Sequence, residues 1–328
     1  MANASNGHSG GRSIPALCQN PAMHWTFTLM LAAAGAAGVS GAWSAAQAIP
    51  APYQAVLTTL GKTGDFKEGV LKVNIPRGDI TVTIGGRPAP TPFGFGGWVA
   101  FAKGDHDMDV MMGDLVLTED EVNPMMSAVL ANGLQVTALH NHFFWDQPRM
   151  FYMHVHGHGA AGELARQLKP AVELINGFAA KRTRPAAPAV SPASALDTAA
   201  LARTIGTAGE QNGAVYKITI GRPDIEMREH GALVNSRMGL NTWAAFTGTD
   251  ADAMVAGDVA MLEPEVTPVL AALRAHGLAI VAIHHHMTDT RPVVIFLHYY
   301  GTGPAAQLAR GVRAAVDLLG KAPARDQP

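Results

Sequence analysis

The stretch EDEVNPMMSAVLANGL at residues 119–134 returns later in the chain as EPEVTPVLAALRAHGL at residues 263–278. The match extends outward in the same order on both sides. Upstream, LGKTGDFKEGVLKVNIPRGDI from Leu60 corresponds to IGTAGEQNGAVYKITIGRPDI from Ile205. Self-similarity over such a length indicates a duplicated structural unit. We therefore predict two tandem homologous repeats.

Composition shifts divide the rest of the chain. The segment RTRPAAPAVSPAS, residues 182–194, is rich in Pro and Ala and has no apolar periodicity, which is typical of an extended linker. The predicted organisation is a signal peptide at residues 1–48, repeat 1 at 53–178, a Pro/Ala-rich linker at 179–197, repeat 2 at 198–321 and a C-terminal tail at 322–328.

The first segment predicts export. Residues 25–39, WTFTLMLAAAGAAGV, form an apolar run that is short for a membrane span, and Ala46-Gln47-Ala48 offers a cleavage site. An uncleaved anchor is the alternative. Cys18 precedes the apolar run, where it cannot serve as a lipid anchor, and it is the only cysteine. The predicted mature chain is therefore secreted or periplasmic, with no disulfide and no transmembrane span.

Each repeat has the same sequence pattern. A short helix precedes strand-like runs that include VLKVNI and WVAFA, and Thr118 with Glu121 forms a capping box for a helix that stops at Gly133. Two further strands and an amphipathic helix at residues 160–178 follow. We predict an α+β fold in which each repeat is a mainly antiparallel sheet packed by helices, with the repeats forming a pseudo-twofold pair.

Composition excludes several function classes. The formal net charge is -2, and no block of Lys and Arg is present, so we expect no nucleic-acid partner. The chain has no G-x-S-x-G elbow, H-E-x-x-H helix or Walker loop.

The spacing of the histidines indicates a candidate metal site. His140 and His142 stand two apart on a predicted strand, so their side chains share a face, and His154 follows on the next strand. If His140 lies opposite His154, the three imidazoles can reach one ion, which is a known type of zinc site. A strict two-residue turn at residues 146–147 would place His154 on the wrong face, so this interpretation requires another turn or a bulge. Repeat 2 carries the same trio, and we predict a second site from His284, His286 and His298.

Two other interpretations of these histidines stay open. They could be structural, each holding a backbone carbonyl, or they could form a metal-free general-base site. Further ligand candidates are His156, His158, His285, Asp114 and Asp258. Because His156 and His158 extend the alternation in repeat 1, that repeat is expected to hold the tighter site.

Two other groups of residues are explained more simply by structural roles than by ligand binding. The methionines near the histidines would suit copper as ligands, but core packing explains them more simply. Arg77 and Arg222 each precede a matched aspartate by two residues, which favours a local Arg–Asp clasp over recognition of a ligand.

The run GDLVLTEDEVNPMMSAVLANGL, followed by ALHNHF and MHVHGHG, resembles the LppY/LpqO-like family of bacterial envelope proteins. The resemblance covers both repeats and implies export and a duplicated domain of unknown function, with no established reaction. Named members resemble lipoproteins, and the position of Cys18 departs from that pattern.

The functional expectation is therefore a periplasmic protein that binds a divalent metal, zinc first and copper as the alternative. It could be a metal-dependent hydrolase, and whether it is an enzyme stays open. The alternative is a non-catalytic envelope module that binds a ligand or partner and has structural histidines. The partner class is a small molecule or an envelope component.

Overall fold

The computed structural model describes residues 48–182, 194–288 and 290–321. All but the last residue of the predicted signal peptide, most of the predicted linker and the C-terminal tail lie outside the described residues. Within the described part, no helix is long and apolar enough to cross a membrane.

Repeat 1 consists of three helices and nine strands. The helices are α1 (Ala51–Leu60), α2 (Glu119–Ala131) and α3 (Ala161–Lys181). The strands are β1 (Gly64–Lys67), β2 (Val70–Pro76), β3 (Val82–Ile84), β4 (Arg87–Ala89), β5 (Gly96–Lys103), β6 (Asp109–Thr118), β7 (Gln135–His140), β8 (Asp146–Gln147) and β9 (Met150–Gly159). A short 3-10 turn spans Thr91–Phe93.

Repeat 2 has the same succession without a counterpart of β8 in its described part. Its helices are α4 (Thr198–Ile205), α5 (Glu263–Ala275) and α6 (Ala305–Val316). Its strands are β10 (Glu210–Asn212), β11 (Val215–Gly221), β12 (Arg228–Glu229), β13 (Ala232–Leu233), β14 (Asn241–Gly248), β15 (Ala253–Leu262), β16 (Ala279–His284) and β17 (Val294–Gly303). A 3-10 turn spans Ser236–Met238.

Each repeat builds a six-stranded sheet in the same spatial order. The orders are β1-β2-β5-β6-β9-β7 and β10-β11-β14-β15-β17-β16, and neighbouring strands run antiparallel. Two small sheets complete the fold, β12-β13 and β4-β3-β8. The predicted duplication and the mainly antiparallel sheets packed by helices are therefore confirmed.

The two faces of each sheet differ because side chains alternate along a strand. In repeat 1, Val73 and Val99 are direct cross-strand neighbours, and Val155 lies in the same row on the far side of Gly113. All three join one core on the face covered by α1, α2 and α3. The corresponding core of repeat 2 lies between its sheet and α4, α5 and α6. The opposite face of each sheet is thus left for contacts with the other repeat.

Two further cores contain residues of both repeats. One brings Ala100 and Met112 together with Met238 and Phe296. The other packs Phe93, Phe143 and Tyr152 of repeat 1 with Ala245 and Tyr300 of repeat 2. These apolar contacts hold the helix-free faces of the two sheets against each other, and burial of this kind is the main favourable term in association.

Each repeat also contains a buried arginine clasp. The Arg77 guanidinium donates to both carboxylate oxygens of Glu121, at 2.6 and 3.0 Å, and to both of Asp79, each at 2.9 Å. Arg222 binds Glu265 and Asp224 in the same way. The Arg–Asp clasp was predicted, and the structure adds the glutamate at the N-terminus of α2 or α5.

Two local differences from the sequence analysis have clear causes. Helix α3 continues to Lys181, into the predicted linker, and Arg182 just beyond it bonds to Asp79 and Glu121 of the clasp. The predicted turn at residues 146–148 contains strand β8, which pairs with β3 and so belongs to a second sheet.

Candidate metal centre

A row of polar side chains crosses the helix-free face of the repeat 1 sheet. Trp98 on β5 is the direct neighbour of Asp114 on β6, and Asp114 is the neighbour of His154 on β9. Direct cross-strand neighbours point to the same face. Since Val99 and Val155 point into the helix-covered core, this row points towards repeat 2.

The equivalent row exists in repeat 2. Trp243 on β14 lies beside Asp258 on β15, which lies beside His298 on β17. The two rows therefore place one tryptophan, one aspartate and one histidine of each repeat on the faces that meet.

The edge strands β7 and β16 add His140 and His284, and the register of β7 differs from the predicted one. His140 pairs with Tyr152, and His154 pairs with Ala138, so the two histidines are diagonal neighbours on one face. A bulge between Val136 and Ala138 accompanies this register. The imidazole centroids of His140 and His154 are 5.0 Å apart, so convergence is preserved without direct pairing.

His142 and His286 lie just outside the strands. Strand β7 ends at His140 and β16 at His284, so the expectation that each H-x-H pair shares one strand is wrong for the second histidine. Both nevertheless turn inward. His142 is buried and stacks on Tyr152, with ring centroids 3.3 Å apart, and His286 stacks on Phe296 at 3.6 Å.

All six histidines form a single group, which we call the histidine cluster: His140, His142, His154, His284, His286 and His298. The closest ring pairs join the repeats. His140 stacks on His284 with centroids 3.7 Å apart, His142 on His298 at 3.6 Å, and His154 contacts His286 at 4.0 Å.

Within the cluster, two sets have the spacing of metal ligands. His140, His284 and His298 form one set, and His154, His284 and His286 form the other, with ligand atoms within 4.8 Å of one another in each. His284 belongs to both sets. Each set mixes the repeats, so the structure groups five of the six predicted ligands differently from the two expected trios, and His142 belongs to neither set.

Burial keeps these imidazoles neutral. It lowers the pKa of His142, His154, His286 and His298 well below the ordinary value, and neighbouring imidazoles lower it further. The pKa of His140 falls for the same reasons, and burial lowers that of His284 to about 4. Neutral imidazole is the form that binds a metal ion.

Several ring nitrogens in the cluster have no hydrogen-bond partner in the described part of the chain. They are Nδ1 of His140 and His142 and Nε2 of His154 and His284. Other ring nitrogens only face one another, since Nε2 of His140 lies 3.2 Å from Nε2 of both His142 and His298. A buried polar atom without a partner is costly, and a bound cation would satisfy these atoms.

Asp114 and Asp258, which the sequence suggested as further ligands, lie beside the cluster. Asp114 Oδ1 is 3.9 Å from His154 Nε2, and Asp258 Oδ2 is 3.7 Å from His286 Nε2. Burial raises the pKa of Asp114 to about 7 and that of Asp258 well above its ordinary value. Carboxylates at this distance from histidines can orient the rings or join the ligand set.

A cavity of about 480 Å³ opens beside the cluster and is lined by both repeats. His142, His286 and His298 form part of its wall together with Asp114 and Asp258. This volume lies within the usual range for small-molecule sites.

Two lysines in this cavity were missed by sequence reasoning. The Lys72 ammonium lies 4.3 Å from the ring centroid of Trp98, and Lys217 lies 4.3 Å from that of Trp243. Lys72 and Lys217 occupy matching positions in VLKVNI and VYKITI, and this retained pair of lysines in a sheet strand was the available signal.

The other candidate ligands lie elsewhere. His156 Nε2 is 2.9 Å from Glu229 of the β12-β13 hairpin, and His158 stacks on His230 with centroids 3.9 Å apart. Both are in strand β9, yet neither belongs to a ligand set, and His285 is exposed. A tighter site in repeat 1 was expected from His156 and His158. These two histidines lie apart from both ligand sets and therefore do not support that expectation.

Most of the methionines near the histidines fill cores, whereas Met108 is exposed. Met111, Met125 and Met153 lie in the helix-side core of repeat 1, and Met112 and Met287 lie in a core shared by the repeats. Packing thus explains them, as the simpler interpretation predicted.

The chain matches one protein family and is weakly similar to several solved structures. A family model described as Domain of Unknown Function (DUF1259) matches residues 54–174 and 199–318. No curated protein matches the chain. Among solved structures, a trimeric bacterial microcompartment shell protein, PduB, is 14% identical, with 79% of this chain and 91% of that chain covered and a TM-score of 0.20. EtuB from Clostridium kluyveri is 8% identical, with 78% and 89% covered and a TM-score of 0.19. Superpositions this poor do not establish a shared fold.

Proposed function

Since the chain belongs to the family described as Domain of Unknown Function (DUF1259), which names no activity, we propose a function from its own residues: the histidine cluster binds a divalent metal ion. The observation that carries the proposal is the approach of His140, His284 and His298 ligand atoms to within 4.8 Å of one another. The imidazoles are held neutral, and several of their nitrogens lack any partner among the described residues. Imidazole ligands favour zinc, and copper is the alternative metal.

Substitution of one residue tests this proposal. His284 is shared by both candidate ligand sets, so His284→Gln should bring the metal content of the purified full chain close to zero. His298→Gln and His286→Gln each remove a ligand from one set only, and the variant that loses more metal identifies the occupied set. Elemental analysis gives the metal-to-protein ratio.

The matched control is His285→Gln. This exposed neighbour of His284 belongs to neither set, and its only part in the bond between them is its backbone oxygen, which accepts from His284 Nδ1–H. Its metal content should equal that of the unchanged protein. Equal metal content in His284→Gln and the unchanged protein would overturn the proposal and favour structural histidines.

Hydrolysis is the reaction class we propose for a metal-bound form. A divalent cation held by imidazoles supplies a Lewis acid that lowers the pKa of a coordinated water towards neutrality. The cavity beside the cluster provides room for a substrate. A panel of chromogenic esters and phosphate esters tests this proposal, and turnover must be lost in His284→Gln but kept in His285→Gln.

A non-catalytic ligand-binding module is the second candidate. The cavity of about 480 Å³, lined by residues of both repeats, favours it independently of any reaction. This candidate predicts ligand binding with no turnover across the same panel.

We propose in addition that the repeats pair with pseudo-twofold symmetry. The contact between His142 and His298 has the contact between His286 and His154 as its counterpart, with ring centroids 3.6 and 4.0 Å apart. Crystallography of the purified full chain tests this, because the rotation relating the repeats should be close to 180°.

We also propose that the protein is exported to the periplasm through residues 1–48. The apolar run at residues 25–39, the cleavage site at Ala48 and the resemblance to LppY/LpqO-like envelope proteins support this proposal. Fractionation of cells and sequencing of the N-terminus test it. A mature chain that begins near Ile49 is the expected result, and a chain that stays in the cytoplasm would contradict it.

A further inference from the structure

The cavity beside the histidine cluster has a second chemical feature that metal binding leaves unused. Lys72 of repeat 1 and Lys217 of repeat 2 both line it, although they are 145 positions apart in the sequence. Two ammonium groups that are brought into one cavity by the pairing of two sheets require a physical explanation.

Strand register directs both lysines towards the tryptophans. On β2 and β5, Asn74 pairs with Trp98 and Lys72 with Ala100, so Lys72 and Trp98 are diagonal neighbours on one face. Lys217 and Trp243 have the same relation on β11 and β14. Each ammonium therefore lies over an indole ring, at 4.3 Å from its centroid, and such cation–π contacts hold a charge without neutralising it.

Neither ammonium has an ion-pair partner among the described residues. The ion pairs in this part of the chain use Lys67, Lys103 and Lys169, but neither Lys72 nor Lys217 has a carboxylate oxygen within 4.0 Å. Burial, together with repulsion from Lys217, lowers the pKa of Lys72 to about 8, and burial lowers the pKa of Lys217 to about 8 as well. At pH 7 both groups remain mostly protonated, and two like charges share the cavity.

Three carboxylates line the same cavity: Glu210 is exposed on β10, whereas Asp114 and Asp258 lie beside the histidines. Asp114 Oδ1 is 3.9 Å from His154 Nε2, and Asp258 Oδ2 is 3.7 Å from His286 Nε2 and 4.0 Å from His298 Nε2. A cation in the cluster would compensate these carboxylates. The two half-buried ammonium groups would then face the cavity without an ion-pair partner in the described part of the chain, since the third carboxylate, Glu210, is exposed and pairs with neither lysine.

We propose that this cavity binds a small organic anion, whose oxyanion group, a carboxylate or a phosphate, is held by Lys72 and Lys217 and whose apolar part lies against Trp98 and Trp243. The inference rests on the proposed function in one respect, namely that the cluster cation compensates Asp114 and Asp258. It assigns a ligand class to the cavity, and the anion would lie beside the metal ion.

The experiment measures binding of three probes to the purified full chain by calorimetry. Benzoate and phenyl phosphate carry the two oxyanions, and benzamide is their neutral analogue. We expect both anions to bind and benzamide to bind at least tenfold more weakly. The order of the two anions identifies which oxyanion the cavity prefers, and failure of both overturns the inference.

Variants assign any binding to the lysine pair. Lys72→Met/Lys217→Met should weaken anion binding at least tenfold, because charge-assisted hydrogen bonds are lost. Lys72→Arg/Lys217→Arg keeps both charges and should keep binding within a few-fold. Lys67→Met, at an exposed lysine outside the cavity, is the matched control and should bind as the unchanged protein does. Equal anion affinity in the double Met variant and the unchanged protein would overturn the inference.

Metal content separates this inference from the proposed function. The double Met variant should keep the metal-to-protein ratio of the unchanged protein, since neither lysine is a ligand candidate. If the protein holds metal but binds neither anion, the inference fails and the proposed function stands. If it binds an anion through the lysines but holds no metal, the proposed function fails and the anion site stands.

Discussion

The arginine clasps and the histidine cluster are both buried and polar and are both built from residues retained in the two repeats. They differ in how completely their polar atoms are hydrogen-bonded. In the clasp, the Arg77 guanidinium meets four carboxylate oxygens and the Val116 carbonyl, and Glu121 also accepts from the Thr118 N–H. In the histidine cluster, four ring nitrogens lack partners within the described residues. Retention of residues in both repeats therefore does not distinguish a structural site from a ligand-binding site. The presence of buried polar atoms without hydrogen-bond partners does.

The clasps and the histidine cluster also differ in location. Each clasp is built within one repeat and ties a loop to the start of a helix. The histidine cluster exists only where the repeats meet, and it borders a cavity. A closed network stabilises a fold, while an open one beside a cavity can accept a ligand.

The largest expected effect is on the pH dependence of stability, which should differ between the histidine cluster and the clasps. The cluster histidines have a lowered pKa in the folded chain, so below about 6.5 the unfolded chain binds more protons and stability falls as pH falls. Each histidine that stays neutral costs on the order of 1 kcal/mol per pH unit below that value. Asp114 and Asp258 act oppositely because their pKa is raised, but two carboxylates oppose six imidazoles.

The clasps should respond only at lower pH. Burial raises the pKa of Glu121, but its bonds to Arg77 prevail and leave it below the ordinary value, so its contribution is lost below about pH 4.5. Urea unfolding of the chelated full chain at pH 7, 5.5 and 4 measures both ranges. His142→Gln/His286→Gln should reduce the slope between pH 6.5 and 5, and stability that is flat over that range would contradict the neutral cluster.

Breaking a clasp should give the next largest effect. Arg77→Met leaves the fully buried Glu121 without its two bonds to Arg77 and with only the partly exposed Arg182 as a cationic partner, so we expect a loss of about 3–5 kcal/mol in the free energy of unfolding. Arg222→Met should cost a similar amount for the same reason. Urea denaturation measures both.

The control for the clasp is Arg87→Met. Arg87 pairs with the exposed Asp252, so its loss should cost less than about 1 kcal/mol. If Arg77→Met unfolds no more easily than this control, the clasps are not the closed structural network described above.

The aspartates beside the cluster should matter for metal affinity rather than for folding. Asp258→Asn keeps the shape but removes the charge near His286 and His298, and we expect metal affinity to fall about 10–100-fold. Asp114→Asn should act in the same direction through His154. Competition with a chromogenic chelator measures the affinity.

Asp252→Asn, at an exposed carboxylate outside the cluster, is the control for both aspartates and should leave metal affinity unchanged. Unchanged affinity in Asp114→Asn and Asp258→Asn would limit the centre to imidazoles alone.

The smallest expected effect lies at a point where the two clasps differ. In repeat 1, Arg182 donates to Asp79 and Glu121, whereas in repeat 2 the Gly320 N–H donates to Glu265 at 2.7 Å. Arg182→Ala should cost about 1 kcal/mol, because Arg77 still pairs with both carboxylates. A loss as large as that of Arg77→Met would mean that Arg182, rather than Arg77, closes the clasp.

Several features were predictable because their causes are local. The capping box at Thr118 and Glu121 formed as expected, with the Thr118 N–H donating to Glu121 at 2.9 Å. Gly133 has a φ of +79° just after α2, as a helix stop requires. The Arg77–Asp79 clasp also depends on residues two apart, so spacing alone indicated it.

Features that depend on distant residues were harder to predict. The pairing of His140 with Tyr152 instead of His154 depends on a bulge and on β8, which pairs with a separate strand. The role of Lys72 was not predicted, because a strand pattern does not reveal what packs against its polar face. The same reason hid the role of Lys217.

By itself, the sequence determined the duplication, the main helices and strands of each repeat, and the six histidines retained in both copies. These follow from residue periodicity, helix caps and internal comparison, which need no knowledge of long-range contacts. Only the tertiary structure decided that the two trios merge into one cluster. That merger depends on apolar contacts between the helix-free faces of the two sheets, made by residues such as Met112 and Phe296, and no local pattern specifies which faces will meet.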